Sequence, residues 1–176
     1  MLAERWARRG AHGVRIAACG AMILTLVASG CGTGDEVGVL SGRVVRVLDG
    51  DTIVVAGVGT VRYLGVDTPE LHHPRKPVER FAARAAVFNR RLVADVDVRL
   101  ETDREVHDAY GRMLAYVYVG RLMVNAELVR AGMAESFAFV PNTTHKEQFD
   151  HLEADARAAG RGRWGPLEGG PPYGVP

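Results

Sequence analysis

Four short stretches carry side chains that packing alone does not require: Asp49-Gly50-Asp51-Thr52, Arg62 to Glu70 (RYLGVDTPE), Asp108 to Arg112 (DAYGR) and Phe137 to His145 (FAFVPNTTH). Asp51 and Asp67 close two different strands. If the fold unites them, two carboxylates with backbone carbonyls and water make the oxygen shell that a hard dication such as calcium takes. Asp-Gly-Asp is by itself an ordinary turn, but Asp67-Thr68-Pro69-Glu70 adds carboxylates directly after a strand, in a loop stiffened by proline. Arg62 and Arg112 fall at strand positions, where a lone arginine often merely faces solvent. Beside a metal site they gain a shared task, because two planar guanidinium forks can grip one phosphate and hold the charge of a five-coordinate phosphorus. His72 and His73 are adjacent, with no other His or Cys at ligand spacing, so no transition-metal site is expected. His107, His145 and His151 read as surface or capping residues.

The elements that must position these groups follow from periodicity. Gly42 to Leu48, Thr52 to Ala56 and Thr60 to Val66 are β-branched runs separated by turn residues, and predict a three-stranded meander. In Arg62 to Tyr63 the alternation lets Val61 and Tyr63 point away from Arg62. The proline-rich stretch 71–77 is a loop, with Pro77 suited to the first turn of a helix over 78–93 whose stripe is Phe81, Ala85, Phe88 and Leu92. Val96 to Glu101 and Arg112 to Val119 are two further strands. A second helix is expected from about Leu122 to Ala131, ending at Gly132. Thr144 and Glu147 form a capping-box pattern for a third helix that ends at Gly160. Five strands with helices after the third and fifth predict an α+β fold, a small five-stranded barrel with three α-helices.

Composition bounds the rest. The chain has 176 residues, 22 Lys plus Arg against 21 Asp plus Glu, 47% hydrophobic residues and two cysteines. That suits one globular domain and excludes a disordered chain, a basic nucleic-acid arm and a disulfide scaffold. Residues 1–30 read as an export signal: Arg5, Arg8, Arg9 and Arg15 precede an apolar run from Ile16 to Val27, shorter than the roughly 20 residues of a membrane span. A short uncleaved anchor is the alternative. Ala28-Ser29-Gly30-Cys31 resembles the lipobox of bacterial lipoproteins, with Ala where that pattern prefers Leu, and makes Cys31 the expected lipidation site. Arg8-Arg9 leaves the export route open. Both cysteines, Cys19 and Cys31, lie within the first 31 residues, so a chain cut before Cys31 offers it no disulfide partner. Residues 31–40 are expected to be a tether, 41–164 the folded domain and 165–176 a disordered Gly/Pro tail. An extracytoplasmic protein, lipid-anchored to the membrane or otherwise secreted, is the expectation. Setting aside residues 1–31, with four arginines and one glutamate, turns the formal charge from +1 to −2. Phosphate binding must then be local, without long-range steering.

From about Ser41 to Trp164 the ordered motifs D-G-D-T, R-x-L-x-V-D-T-P-E, D-x-Y-G-R-x-L-A-Y and P-N-x-T-H resemble the staphylococcal nuclease (thermonuclease) family. The resemblance implies an OB-fold barrel with helices, one calcium ion (Ca2+), a monomer, and hydrolysis of phosphodiesters in DNA and RNA, preferentially single-stranded, leaving 3′-phosphorylated products. It implies Asp51, Asp67 and the Thr68 carbonyl as metal ligands. Glu70 becomes the general base or orienter of water, and Arg62 and Arg112 the phosphate clamp. Tyr110 and Lys76 are the implied contacts to substrate phosphate and nucleotide.

There are departures. Ala109 stands where the family commonly has lysine, and Phe137 and Phe139 stand where it has tyrosines. Their rings can still stack on a base, worth about 1–3 kcal/mol each, without the hydroxyl contacts. These losses and the mildly acidic domain leave a rival reading: a catalytically idle OB-type module that holds nucleotides or single strands at the cell surface.

Overall fold

The computed structural model describes residues 39–71 and 77–166. In chain order the elements are β1 (Val39–Asp49), β2 (Thr52–Val55), β3 (Gly59–Tyr63), β4 (Val66–Asp67), α1 (Ala82–Val93), β5 (Asp97–Glu101), β6 (Met113–Val119), β7 (Leu122–Met123), α2 (Val124–Arg130), β8 (Glu135–Ser136) and α3 (Lys146–Ala158), with a 3₁₀ turn at Gly162–Trp164. The three β-branched runs form the expected antiparallel meander, with Val47 opposite Ile53 and Ile53 opposite Val61. The other edge of β1 pairs with β5, and β5 with β6. β6 then runs parallel to β3, Arg62 opposite Leu114, and closes the ring. The result is a five-stranded mixed barrel carrying three helices, an α+β OB-type architecture. Val44, Ile53, Val55, Val61, Leu100 and Val117 fill its interior and are essentially inaccessible. Among the described residues no helix is long and apolar enough to cross a membrane.

Two buried asparagines fasten helices to the barrel. Asn89 accepts from the Tyr63 hydroxyl at 2.9 Å and donates to the Asp49 carbonyl at 3.0 Å. Asn125 accepts the Val117 N–H at 2.8 Å and donates to the Leu64 carbonyl at 2.8 Å. Each buried amide is thereby satisfied on both sides, as burial of a polar group requires.

Two expectations need correction, and one pairing was not expected. The first helix begins at Ala82 rather than at residue 78, because Phe81 adopts a left-handed backbone (φ 71°) and Glu79 is engaged with the backbone of Glu70. Its fully buried face includes Asn89, whereas Phe88 is only half-buried. The capping box does not form: α3 starts at Lys146 with His145 at the cap position and no side-chain cap bond. Thr144 is diverted to Asp103, whose Oδ2 accepts its N–H at 3.2 Å. The short β4–β8 ladder, which sets Asp67 opposite Glu135, was not foreseen.

Candidate active site

The barrel end where β1 turns into β2 gathers the first two motifs. In the Asp49-Gly50-Asp51 turn, Asp49 Oδ1 accepts the Gly50 N–H at 2.8 Å, and Asp51 is almost fully buried. Gly50 is required by close approach: a Cβ there would lie 2.7 Å from Thr68 Oγ1 and 2.9 Å from the Ala85 Cβ. That contact lets the loop after β4 fold down onto Asp51, whose Oδ2 accepts the Thr68 N–H at 2.9 Å and the Thr68 hydroxyl at 2.7 Å. Asp51 Oδ1 takes the Thr52 hydroxyl at 3.0 Å.

Arg62 binds the two halves together. It lies on β3 opposite Thr52, is 7% exposed, and stands 3.1 Å from Asp51 Oδ2 through one terminal nitrogen. The other donates to Asp67 Oδ1 at 2.7 Å, and the first also reaches the Val66 carbonyl at 2.9 Å. Alternation does direct Val61 and Tyr63 away, yet all three residues are buried, because the β4 loop covers the Arg62 side and α1 the Tyr63 side. Such a pair is not a net gain in stability so much as a fixed geometry, since both ions forfeit hydration.

Glu70 follows on the exposed rim. Its backbone N–H donates to Glu79 Oε2 at 3.3 Å, its carbonyl accepts the Glu79 N–H at 3.1 Å, and the next N–H, of Leu71, reaches Asp49 Oδ2 at 3.3 Å. Partial desolvation and then the charges of Asp49, Asp51 and Asp67 raise the Glu70 pKa. The Asp67 carboxyl is raised as well, first by desolvation, then by Asp51, Glu135 and Glu79, against the pull of Arg62. Arg62 thus contacts two of these carboxylates, Asp51 and Asp67, and Glu70 stands close enough to Asp49, Asp51 and Asp67 to feel their charge.

Arg112 belongs to a neighbouring group. It immediately precedes β6, whose first residue, Met113, pairs with Val61 of β3, so it stands at the entrance to the strand next to the one that carries Arg62. The Asp108-to-Arg112 turn is built on one carboxylate: Asp108 Oδ1 accepts the N–H groups of Tyr110 and Arg112, each at 2.9 Å, and Oδ2 accepts Arg112 Nε at 2.7 Å. Gly111 supplies the left-handed residue (φ 75°) that this turn needs. Tyr110 is 86% exposed, its ring 5.4 Å from the Arg112 guanidinium carbon. Phe139 lies 5.5 Å from the Arg62 guanidinium, and Phe137 stacks edgewise on it at 4.8 Å. Both sit in a segment fixed by Asn142, which exchanges two hydrogen bonds with the Glu105 backbone.

Asp51, Arg62, Asp67 and Thr68 are therefore in direct contact, with Glu70 at their rim and Phe139 over Arg62. Arg112 and Tyr110 form a second group in the turn that leads into β6. Lys76 and Cys31 lie outside the described residues. Asp108 and Asn89 escaped the sequence reading as positioning residues. The first heads its own motif, and the second is a polar residue on the apolar face of a helix, a readable signal in both cases. Among the described residues no three His, Cys, Asp or Glu side chains stand close enough to hold a metal unaided.

Residues 60–166 match the family described as Staphylococcal nuclease homologue. The chain is 38% identical over 125 residues to the thermonuclease of Staphylococcus hyicus, covering 69% of this chain and 74% of that protein. It is 39% identical over 115 residues to the thermonuclease of Staphylococcus intermedius, covering 64% and 68%. With Endonuclease YncB of Bacillus subtilis (strain 168) it shares 41% over 118 residues, 64% of this chain and 56% of the relative.

Proposed function

The chain belongs to the staphylococcal nuclease homologue family, and from that premise we propose that it is a calcium-dependent nuclease hydrolysing phosphodiesters of DNA and RNA and leaving 3′-phosphorylated products. The observation that carries the reading is the bonded cluster of Asp51, Arg62, Asp67 and Thr68, with Glu70 at its open edge.

The donor set fits the ion. Asp51, Asp67 and the Thr68 carbonyl offer hard oxygens of the kind a calcium ion takes, and Asp51 and Asp67 are brought to one place by Arg62. When bound, calcium supplies Lewis-acid polarisation of a phosphoryl oxygen. The chain's own residues do the rest. Arg62 and Arg112 donate to the phosphate and hold developing charge on it. Glu70, exposed at the rim, accepts a proton from the attacking water and orients it in line. Tyr110 and Lys76 hold the flanking phosphate and nucleotide, and Phe137 and Phe139 stack on a base, which favours single strands. Export, a lipid anchor at Cys31 and a monomeric state complete the proposal.

The decisive assay follows degradation of single-stranded DNA and RNA with calcium, with chelator, and in Glu70→Ala and Arg112→Ala. Loss of hydrolysis in both variants and in chelator is expected; undiminished hydrolysis removes the site. One feature favours the idle binding module: both terminal nitrogens of Arg62 are engaged by protein oxygens. Tight binding of DNA without calcium-stimulated cleavage would decide for it.

A further inference from the structure

Where β1 meets the end of α1, Val45, Arg46, Val47, Arg90, Ala94 and Asp95 line a cavity of about 250 Å³. Two local departures shape it. The first is a bulge in β1 between Val44 and Arg46, which pair with Val55 and Val54. Strict alternation would turn Arg46 inward like the buried Val44. With Val45 as the extra residue, Val45 and Arg46 are both exposed. The second departure is Asp95. It follows the cap residue of α1 in a left-handed backbone (φ 58°), which glycine or asparagine fills most easily. It also sets a carboxylate at the helix end whose dipole favours cations. Neither choice helps the fold, and a residue that breaks local rules without a structural gain marks a functional position. The side chains of Arg46, Arg90 and Asp95 make no hydrogen bond or ion pair with any described residue.

We propose that this cavity binds one nucleotide of a single RNA strand outside the scissile position, its phosphate on Arg46 and Arg90, its ribose against Val45 and Ala94, and its 2′-hydroxyl donating to Asp95. The proposal rests on the nuclease reading of the site and narrows it: RNA is held more tightly than DNA. Guanidiniums that no protein oxygen engages have both edges open to a phosphate. Two of them with one carboxylate leave a single positive charge, which one phosphodiester cancels. The size agrees. The cavity is smaller than the roughly 300 Å³ at which pockets begin to enclose a whole drug-sized ligand, so phosphate and sugar enter while the base stays outside. Within a strand the 2′-hydroxyl is the ribose donor left free, and by it a protein tells RNA from DNA. A bound strand can reach both places, because Arg46 lies three residues before Asp49 on β1 and Arg90 follows Asn89, whose amide donates to the Asp49 carbonyl at 3.0 Å.

The test measures binding of fluorescein-labelled oligo-U and oligo-dU of 12 nucleotides, which differ only at the 2′ position, to the full chain in chelator, by anisotropy over a range of salt. Wild type should hold oligo-U about tenfold more tightly, the strength of one hydrogen bond to a carboxylate. D95G suits that backbone and removes the acceptor, and should bring the two affinities together. R46Q/R90Q should weaken both and lower the salt slope by about 0.7, one single-strand phosphate contact. If that pair unfolds, R90Q alone, at an exposed helix position, should weaken oligo-U binding about tenfold. Hydrolysis of a short chromogenic phosphodiester with calcium should be unchanged in all these variants. Equal wild-type affinity for the two oligomers, a preference that survives D95G, or an unaltered slope in R46Q/R90Q overturns the proposal. Free uridine 3′-monophosphate competing as strongly as the 12-mer overturns the strand and assigns the cavity to a mononucleotide. Loss of binding to phosphatidylglycerol vesicles with intact oligonucleotide binding overturns it too, assigning the cavity to a lipid headgroup. Failure of wild type to cleave the short ester would instead sink the nuclease reading, while the binding series still judges the cavity.

Discussion

Asp108 holds Arg112 at two points, accepting its side-chain Nε on one carboxylate oxygen and its backbone N–H on the other. The guanidinium is thereby aimed by a residue that need never touch the substrate. Asp108→Asn should lower kcat by about 100-fold, the scale of a small misplacement of a catalytic group. Arg112→Ala should cost about 100-fold to 1,000-fold. Steady-state kinetics on a short phosphodiester checks the order.

The same carboxylate predicts an acid limit to stability. Asp108 suffers some desolvation, but bonds from Arg112 and Tyr110 hold its pKa below the ordinary 3.8. Asp103 is likewise desolvated and likewise lowered, by Thr144, Tyr116 and Arg104. A depressed folded-state pKa adds stability that is present above the unfolded value and is lost as pH falls through the folded one. Urea midpoints should drop below about pH 4, and less steeply in Asp103→Asn and Asp108→Asn.

Removing Arg62 strips two carboxylates of their partner, one of them buried. Arg62→Ala should cost about 3–5 kcal/mol of stability as well as catalysis, whereas Glu70→Gln, at an exposed rim, should lose only activity. Denaturant unfolding of the two variants separates the cases.

At Gly50 the added methyl of alanine meets Thr68 and Ala85 within 3 Å. Gly50→Ala should destabilise by about 1–3 kcal/mol and displace the Thr68 loop from Asp51. A lowered Tm together with weakened calcium dependence of cleavage is the expected pair of readings.

Calcium should raise the Tm of wild type, since a ligand at 100 times its Kd adds about 2.7 kcal/mol. Asp67→Asn alters a half-exposed side chain and should fold, yet show little of that rise. A full calcium shift in this variant would exclude Asp67 from the ligand set.

The barrel was legible because its strands are β-branched runs bounded by Gly and Asp, and the motif residues Asp51, Arg62, Asp67 and Thr68 did converge. What was not legible depended on long-range partners. Nothing local to Arg62 says that a later loop will bury it, and Thr144 has the residue type of a cap but spends its hydrogen bonds on Asp103, 41 residues earlier. Phe81 begins a good apolar stripe, yet its left-handed backbone stops the helix because Glu79 is occupied by the Glu70 loop. Periodicity reports which face a residue prefers, and tertiary hydrogen bonds decide where an element starts.

The parallel pairing of β6 with β3 joins residues about fifty positions apart, Val61 with Met113, and it lays the strand that follows Arg112 alongside the strand that carries Arg62. A polypeptide whose ring is still open therefore owns half a vice. Cutting power is then armed by completed folding and disarmed by unravelling.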